Sequence, residues 1–188
     1  MNAAAVSDTL ARIALVGPMG IGKTTAVRAL CGNHMVDTDV PNLDKASHAK
    51  EFTTVGAEFG EIDLGGGVRV QVCGCPGQER FAFLRQWVLS VSIGVFVMVD
   101  VNENQAAAEC ARLIAEAQQA ADPAPMCIVL SARPALPERL SAFCAQLESL
   151  SGSVLPVIEV DVRERAHMLE ALEVLVALLN LETDSSLL

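Results

Sequence analysis

The chain has no tyrosine, one tryptophan and six phenylalanines among its 188 residues. Aromatics make up 4% of the sequence against 52% hydrophobic residues overall. Ala, Val and Leu must therefore fill the core, a composition suited to buried parallel strands under Ala- and Leu-rich helices. Positive charge is also scarce: 13 Lys and Arg stand against 23 Asp and Glu, giving a formal charge of −10 and a pI near 4.7. Such acidity argues against general nucleic-acid binding and against docking on anionic membranes by charge.

Long apolar runs are missing too. The most apolar stretch, Val91–Val101, is interrupted by Ser92 and Asp100 and is too short to cross a bilayer. Met1–Leu10 lacks the basic start of a secretory leader, and neither an N-terminal Met-Gly nor a C-terminal Cys box invites a lipid. The expected location is the cytoplasm. Cys31, Cys73, Cys75, Cys110, Cys127 and Cys144 are scattered through apolar or helical segments, as reduced buried thiols are. Cys73 and Cys75 form the only close pair, with no further ligands at metal-site spacing.

What is present is an alternation of strands and helices. Strands are expected at Ile13–Val16, Phe52–Leu64, Val68–Val72, Ile93–Val101, Met126–Leu130 and Val154–Val160, and helices at Lys23–Leu30, Phe81–Ser90, Gln105–Ala121, Pro137–Leu150 and Glu164–Leu181. His34–Lys50 is polar and reads as a surface loop. Gly65-Gly66-Gly67 between two apolar runs signals a hairpin. In the last helix Met168, Leu169, Leu172, Leu175, Val176 and Leu179 share one face, as packing on a sheet requires. The expected fold class is α/β: a three-layer sandwich with a mostly parallel six-stranded sheet and one antiparallel hairpin. One domain over residues 1–188 is expected, with its core at about 11–181 and short flexible termini.

Gly17-Pro18-Met19-Gly20-Ile21-Gly22-Lys23-Thr24 matches the pattern Gly-x4-Gly-Lys-Ser/Thr in full, with a strand leading in and a helix leading out. That context sets aside a chance glycine-rich turn. The glycines let backbone N–H groups wrap a phosphate at the positive end of the new helix. Lys23 would reach the β- and γ-phosphates, the Thr24 hydroxyl would coordinate Mg²⁺, and Thr25 could contact the α-phosphate. The motif implies nucleotide binding without choosing between GTP and ATP.

Two further stretches narrow the choice. Thr53-Thr54-Val55-Gly56-Ala57-Glu58-Phe59 resembles the first switch of Rab-like small GTPases, and Pro76-Gly77-Gln78-Glu79-Arg80-Phe81 resembles their second. From about Ala11 to Leu181 the chain is thus similar to the Ras-like small GTPase superfamily, with a Pro-Gly-Gln second switch similar to that of bacterial GTPases akin to the gliding-motility polarity GTPase. The resemblance implies a P-loop NTPase G-domain with GTP or GDP and Mg²⁺ as cofactors. It places Thr54 with Thr24 in the metal shell, the Gly77 N–H on the γ-phosphate, and Gln78 with Lys23 as the catalytic groups. It also places Met19, Ile21, Ser131, Arg133 and Val162 against the nucleotide. The plainer alternatives are Thr54 as a strand starter and Gln78 as a solvated turn residue. Arg80 and Arg85 are candidates for transition-state charge stabilisation, or else surface or structural groups. Relatives work with dimeric regulatory proteins of the roadblock type, so such a partner is implied as well.

The chain departs from the family pattern in three places. The Asp of Asp-x-x-Gly, which supports Mg²⁺ through water, falls at Gly74, leaving Asp37, Asp39 and Asp100 as candidate replacements. Asn-Lys-x-Asp, which reads guanine, is replaced by Ser131-Ala132-Arg133-Pro134. Losing a buried bidentate partner costs about 1–3 kcal/mol per unpaired group, enough to erode base selectivity. The last base-contacting loop is Asp161-Val162-Arg163, where Asp161 is a candidate substitute acceptor. Met19 adds bulk beside the γ-phosphate position, which often slows hydrolysis in the family. The phosphate half of the site is intact and the base half degraded. The expected function is a slow GTPase switch; the alternative is a pseudo-GTPase interaction module with weak or base-unselective binding. An ATPase or P-loop kinase is a third reading, against which stands the lack of an Arg-rich lid.

Overall fold

The computed structural model describes residues 11–36, 39–41, 52–54, 57–65 and 68–185. Its first strand β1 (Ala11–Val16) is followed by α1 (Lys23–Cys31), β2 (Met35–Val36), β3 (Asp39–Pro41), β4 (Phe52–Thr54), β5 (Glu58–Asp63) and β6 (Arg69–Gly74). Then come α2 (Ala82–Ser90), β7 (Gly94–Val99), α3 (Ala106–Ala120), β8 (Met126–Ser131), α4 (Pro137–Ser151), β9 (Val157–Glu159) and α5 (Arg165–Ser185).

The main sheet runs β2-β5-β6-β1-β7-β8-β9. Strands β6, β1, β7, β8 and β9 are parallel, and β5 turns back antiparallel on β6. These are the six strands and the hairpin expected from the sequence. Two local readings need correction. Within His34–Lys50, taken as loop, Met35–Val36 pairs with β5 and Asp39–Pro41 pairs with β4. Phe52–Leu64 is two strands rather than one, because β4 joins a separate two-stranded sheet while β5 joins the main one. Two- and three-residue pairings carry no periodicity of their own, so only tertiary partners reveal them.

Alternation along β1 sorts the core into two layers. Ile13 and Leu15 face α1 and α5, among Val27, Leu30, Met168, Leu172 and Leu175. Ala14 and Val16 face the other way, among Val88, Cys110, Leu113, Ile114 and Phe143 of α2, α3 and α4. Strand β7 is buried at every position, which is why its sequence is an unbroken apolar run. Fully burying each such Val, Phe or Met contributes about 1.5–3 kcal/mol. Helix α4 begins at a proline and ends at Gly152, whose φ of 69° is the left-handed conformation that closes helices.

The face of α5 read from the sequence is the one that packs: Met168, Leu172 and Leu175 are buried, and Leu169, Val176 and Leu179 lie against the same cluster.

Candidate functional site

Four loops converge at the carboxyl ends of the parallel strands, where open α/β sheets place ligands. They are Gly17–Gly22 after β1, Cys75–Gln78 after β6, Ala132–Pro134 after β8 and Val160–Arg163 after β9. The parallel register brings them to one edge, since Leu15 pairs with Gly74, Val16 with Val97, and Ser131 with Val99 and Glu159.

The Gly17–Gly22 loop is built as a cradle. Lys23 opens α1 and folds back over it, its Nζ donating to the carbonyl oxygens of Gly17 and Pro18 at 2.8 Å each. Its side chain is buried, so the ammonium is held rigidly where a phosphate oxygen would meet it. Gly22 sits at the helix cap with φ 114°, a conformation that side chains rarely adopt. Gly77 comes down onto the same loop so closely that a Cβ there would lie 2.7 Å from the Met19 nitrogen and 3.0 Å from the Gly17 oxygen. Only glycine fits that contact between the second switch and the phosphate loop.

Gln78 leans over the cradle. Its Nε2 donates to the Met19 sulfur at 3.3 Å, and its Oε1 accepts from Arg80 Nε at 2.7 Å. Pro18, Met19, Gly77, Gln78, Glu79, Glu109 and Arg112 line a cleft of about 720 Å³ on this side. Arg112, on α3, was not singled out by any motif. It pairs with Glu109 at 2.8 Å and with Glu116 at 3.3 Å, and it lies 3.5 Å from Glu79. The Arg112 hydrogen bond holds the Glu109 carboxyl below its ordinary range. Arg85, by contrast, is a structural group: it is buried, with Nε on Glu116 at 2.8 Å and a terminal nitrogen 3.3 Å from Glu79. The alternative that the sequence reading left open for Arg85 is therefore the one the packing takes.

On the other flank of the loop a cavity of about 580 Å³ is lined by Gly20, Gly22, Thr25, Arg133, Pro134, Asp161 and Val162, among others. Arg133 closes the gap left by the missing Asn-Lys-x-Asp. Its guanidinium donates to the Ile21 oxygen at 2.9 Å and the Gly20 oxygen at 3.0 Å, tying the β8 loop to the phosphate loop. Val162 packs beside Gly22, whose Cβ would lie 3.1 Å from a Val162 methyl. Ser131 is fully buried, its hydroxyl 3.4 Å from the Arg133 oxygen. Asp161 is already engaged: Arg163 donates to both its carboxylate oxygens, at 2.9 and 2.6 Å, and this drives its carboxyl far below the usual range. As a guanine acceptor it would first have to release Arg163.

The metal side holds a residue that no motif announced. The Thr24 hydroxyl donates to the Glu58 carboxylate, and Glu58 is 2% exposed. Sequence reading passed over Glu58 because it lies inside the first-switch stretch, where an alternating strand gives no hint of which polar residue turns inward. The sequence offered only the carboxylate missing at Gly74; that Gly74 is the register partner of Glu58 is visible in the sheet alone. Among the named candidates, Asp100 accepts from the backbone and side chain of Asn102. Asp37 and the side chains of Asp39 and Thr54 lie outside the described residues. No cluster of three or more His, Cys, Asp or Glu able to hold a metal is present among the described residues. A P-loop Mg²⁺ does not need one, since it is held through one or two protein oxygens, phosphates and water. The Thr24 hydroxyl backed by a buried carboxylate fits that donor set.

Among the described residues no helix is long and apolar enough to cross a membrane. The sequence matches no curated protein. Among protein-family models it matches the Ras family over residues 12–136, a span that includes the phosphate loop, both switch stretches and the β8 loop. With well over half of its length in that match, the chain belongs to the Ras family of small GTP-binding switch proteins.

Proposed function

We propose that the chain is a single G-domain that binds GTP and GDP with Mg²⁺, hydrolyses GTP slowly, and acts as a cytoplasmic switch for a regulatory protein. The observation carrying this reading is the pairing of a pre-set Lys23 with a second-switch loop that rests on the phosphate loop through Gly77. A loop in that position feels whether a γ-phosphate is present, which is what a switch requires.

Bound nucleotide and Mg²⁺ would supply the phosphoanhydride and neutralise its charge. Lys23 and the N–H groups of Gly20, Gly22, Thr24 and Thr25 hold the phosphates. Thr24 and Thr54 provide hydroxyls to the metal. Gln78 would orient the attacking water once its amide leaves the Met19 sulfur, and the need to break that contact is the reason to propose slow turnover. The Pro-Gly-Gln second switch supports kinship with the bacterial branch akin to the gliding-motility polarity GTPase, and with it a roadblock-type dimeric partner. Retention of such a partner by GTP-loaded but not GDP-loaded protein tests that reading.

A second reading has its own observation. With Pro134 in the base cavity, Arg133 committed to the phosphate loop and Asp161 held by Arg163, none of these three positions offers guanine a free carboxylate, and the other carboxylate lining the cavity is that of Glu159 at the end of β9. The alternative is an interaction module that reads phosphates and not the base. Calorimetry with GDP, GTP, ADP and ATP on nucleotide-stripped protein in Mg²⁺ separates the two. A guanine preference of about tenfold or more, about 1.4 kcal/mol, supports the GTPase. Equal binding of all four supports the base-unselective module, and no binding refutes both nucleotide readings. Lys23→Ala abolishes binding in either case where binding exists.

A further inference from the structure

We propose that Glu58 supplies the carboxylate of the Mg²⁺ site, taking over from strand β5 the duty that an aspartate at position 74 of β6 performs in the family. The inference rests on the nucleotide-binding reading above and adds to it a residue that lies within the first-switch stretch but to which the motif assigns no role.

The geometry points there from three directions. Glu58 and Gly74 are direct partners in the antiparallel β5–β6 register. A Cβ built on Gly74 would lie 2.9 Å from Glu58 Oε2 and 3.6 Å from its Cβ, so the space a side chain at 74 would enter is already filled by the Glu58 carboxylate. The Thr24 hydroxyl, the one metal-coordinating group whose placement is described, donates its proton to Glu58 Oε1. A hydroxyl whose hydrogen is directed at a carboxylate turns its lone pairs away from it, and this orients Thr24 as a metal ligand and raises its basicity. Glu58 is thus a positioning residue that acts through Thr24 and through water.

Glu58 is 2% exposed, so its carboxylate is fixed against the Thr24 hydroxyl rather than turned to solvent. Gly74 and Glu58 are then one exchange: a carboxylate at either position excludes a side chain from the other.

The test uses Mn²⁺ as the probe. Its affinity for the GDP-loaded full chain is read by electron paramagnetic resonance, alongside the Mg²⁺ dependence of GDP release. Glu58→Gln keeps an oxygen to accept the Thr24 hydroxyl and nearly the same volume, so a merely structural role for Glu58 leaves Mn²⁺ affinity intact. The expected result is a loss of about tenfold or more in Mn²⁺ affinity and faster GDP release at limiting Mg²⁺, with the thermal midpoint of the metal-free protein unchanged or raised. The exchange variant Glu58→Ala/Gly74→Asp is expected to recover most of the affinity, whereas Glu58→Ala alone does not. Unchanged Mn²⁺ affinity in Glu58→Gln, with wild-type GDP binding intact, overturns this inference and leaves nucleotide binding standing. A wild type that binds no nucleotide overturns both.

Discussion

Met19 and Gln78 show how one side chain sets the state of another. In a family that reads its γ-phosphate with the second switch, the Gln78 amide here rests on a thioether, a weak acceptor, while Arg80 holds its oxygen. Truncation of Met19 removes that anchor and the bulk beside the γ-phosphate position together. Met19→Ala is therefore expected to raise single-turnover GTP hydrolysis by about tenfold, about 1.4 kcal/mol of barrier. Phosphate release measured on GTP-loaded protein decides it, and an unchanged rate means that Met19 does not restrain Gln78. Neither Met19 nor Gln78 reveals this contact in the sequence, where 59 residues separate them.

Among the elements, α2 and α3 are joined by charge. Arg85 of α2 reaches Glu116 of α3, and Arg112 holds Glu109 and Glu116 on α3 while meeting Glu79 just ahead of α2. The Arg112 hydrogen bond lowers the Glu109 carboxyl from its ordinary value of 4.5. A carboxyl lowered in the folded state stabilises it above its unfolded value, and that contribution disappears as pH falls through the folded one. Wild type is accordingly expected to exceed Glu109→Gln in stability at neutral pH and to converge with it in acid, below about 4.5, in urea titrations run across pH. Helix α2 also carries the single tryptophan, Trp87, half exposed and with Arg12 of β1 5.7 Å above its ring. If the second switch and α2 shift with nucleotide, Trp87 emission changes between GDP- and GTP-loaded protein. Identical spectra would place the motion elsewhere.

For the whole molecule the two buried layers have a chemical consequence. Desolvation pushes the thiol of Cys110 up to about 12 and those of Cys31 and Cys127 to about 11. Cys75 is raised too, chiefly by its hydrogen bond with Cys73 and then by burial. Cys144 is the one cysteine of the six that is not buried. Labelling with an aromatic disulfide at pH 8 should find one fast thiol in the folded protein and the remainder only on unfolding. Several fast thiols would mean that the layers open more readily than their packing implies.

Much of this molecule was readable from the chain alone. The phosphate loop is contiguous, so Gly17 to Thr24 declared its place between β1 and α1. The long helices and the β7 strand declared themselves through sustained periodicity or an unbroken apolar run. The antiparallel hairpin was marked by its three glycines. What the tertiary structure decided was every feature made by residues far apart in sequence. Arg133 closes on Gly20 and Ile21, and Gly77 presses on Met19. Glu58 stands where Gly74 leaves room because strand register, not local pattern, chooses cross-strand neighbours. A motif can report that a carboxylate is missing from its own strand; only the sheet can show that the next strand has supplied one.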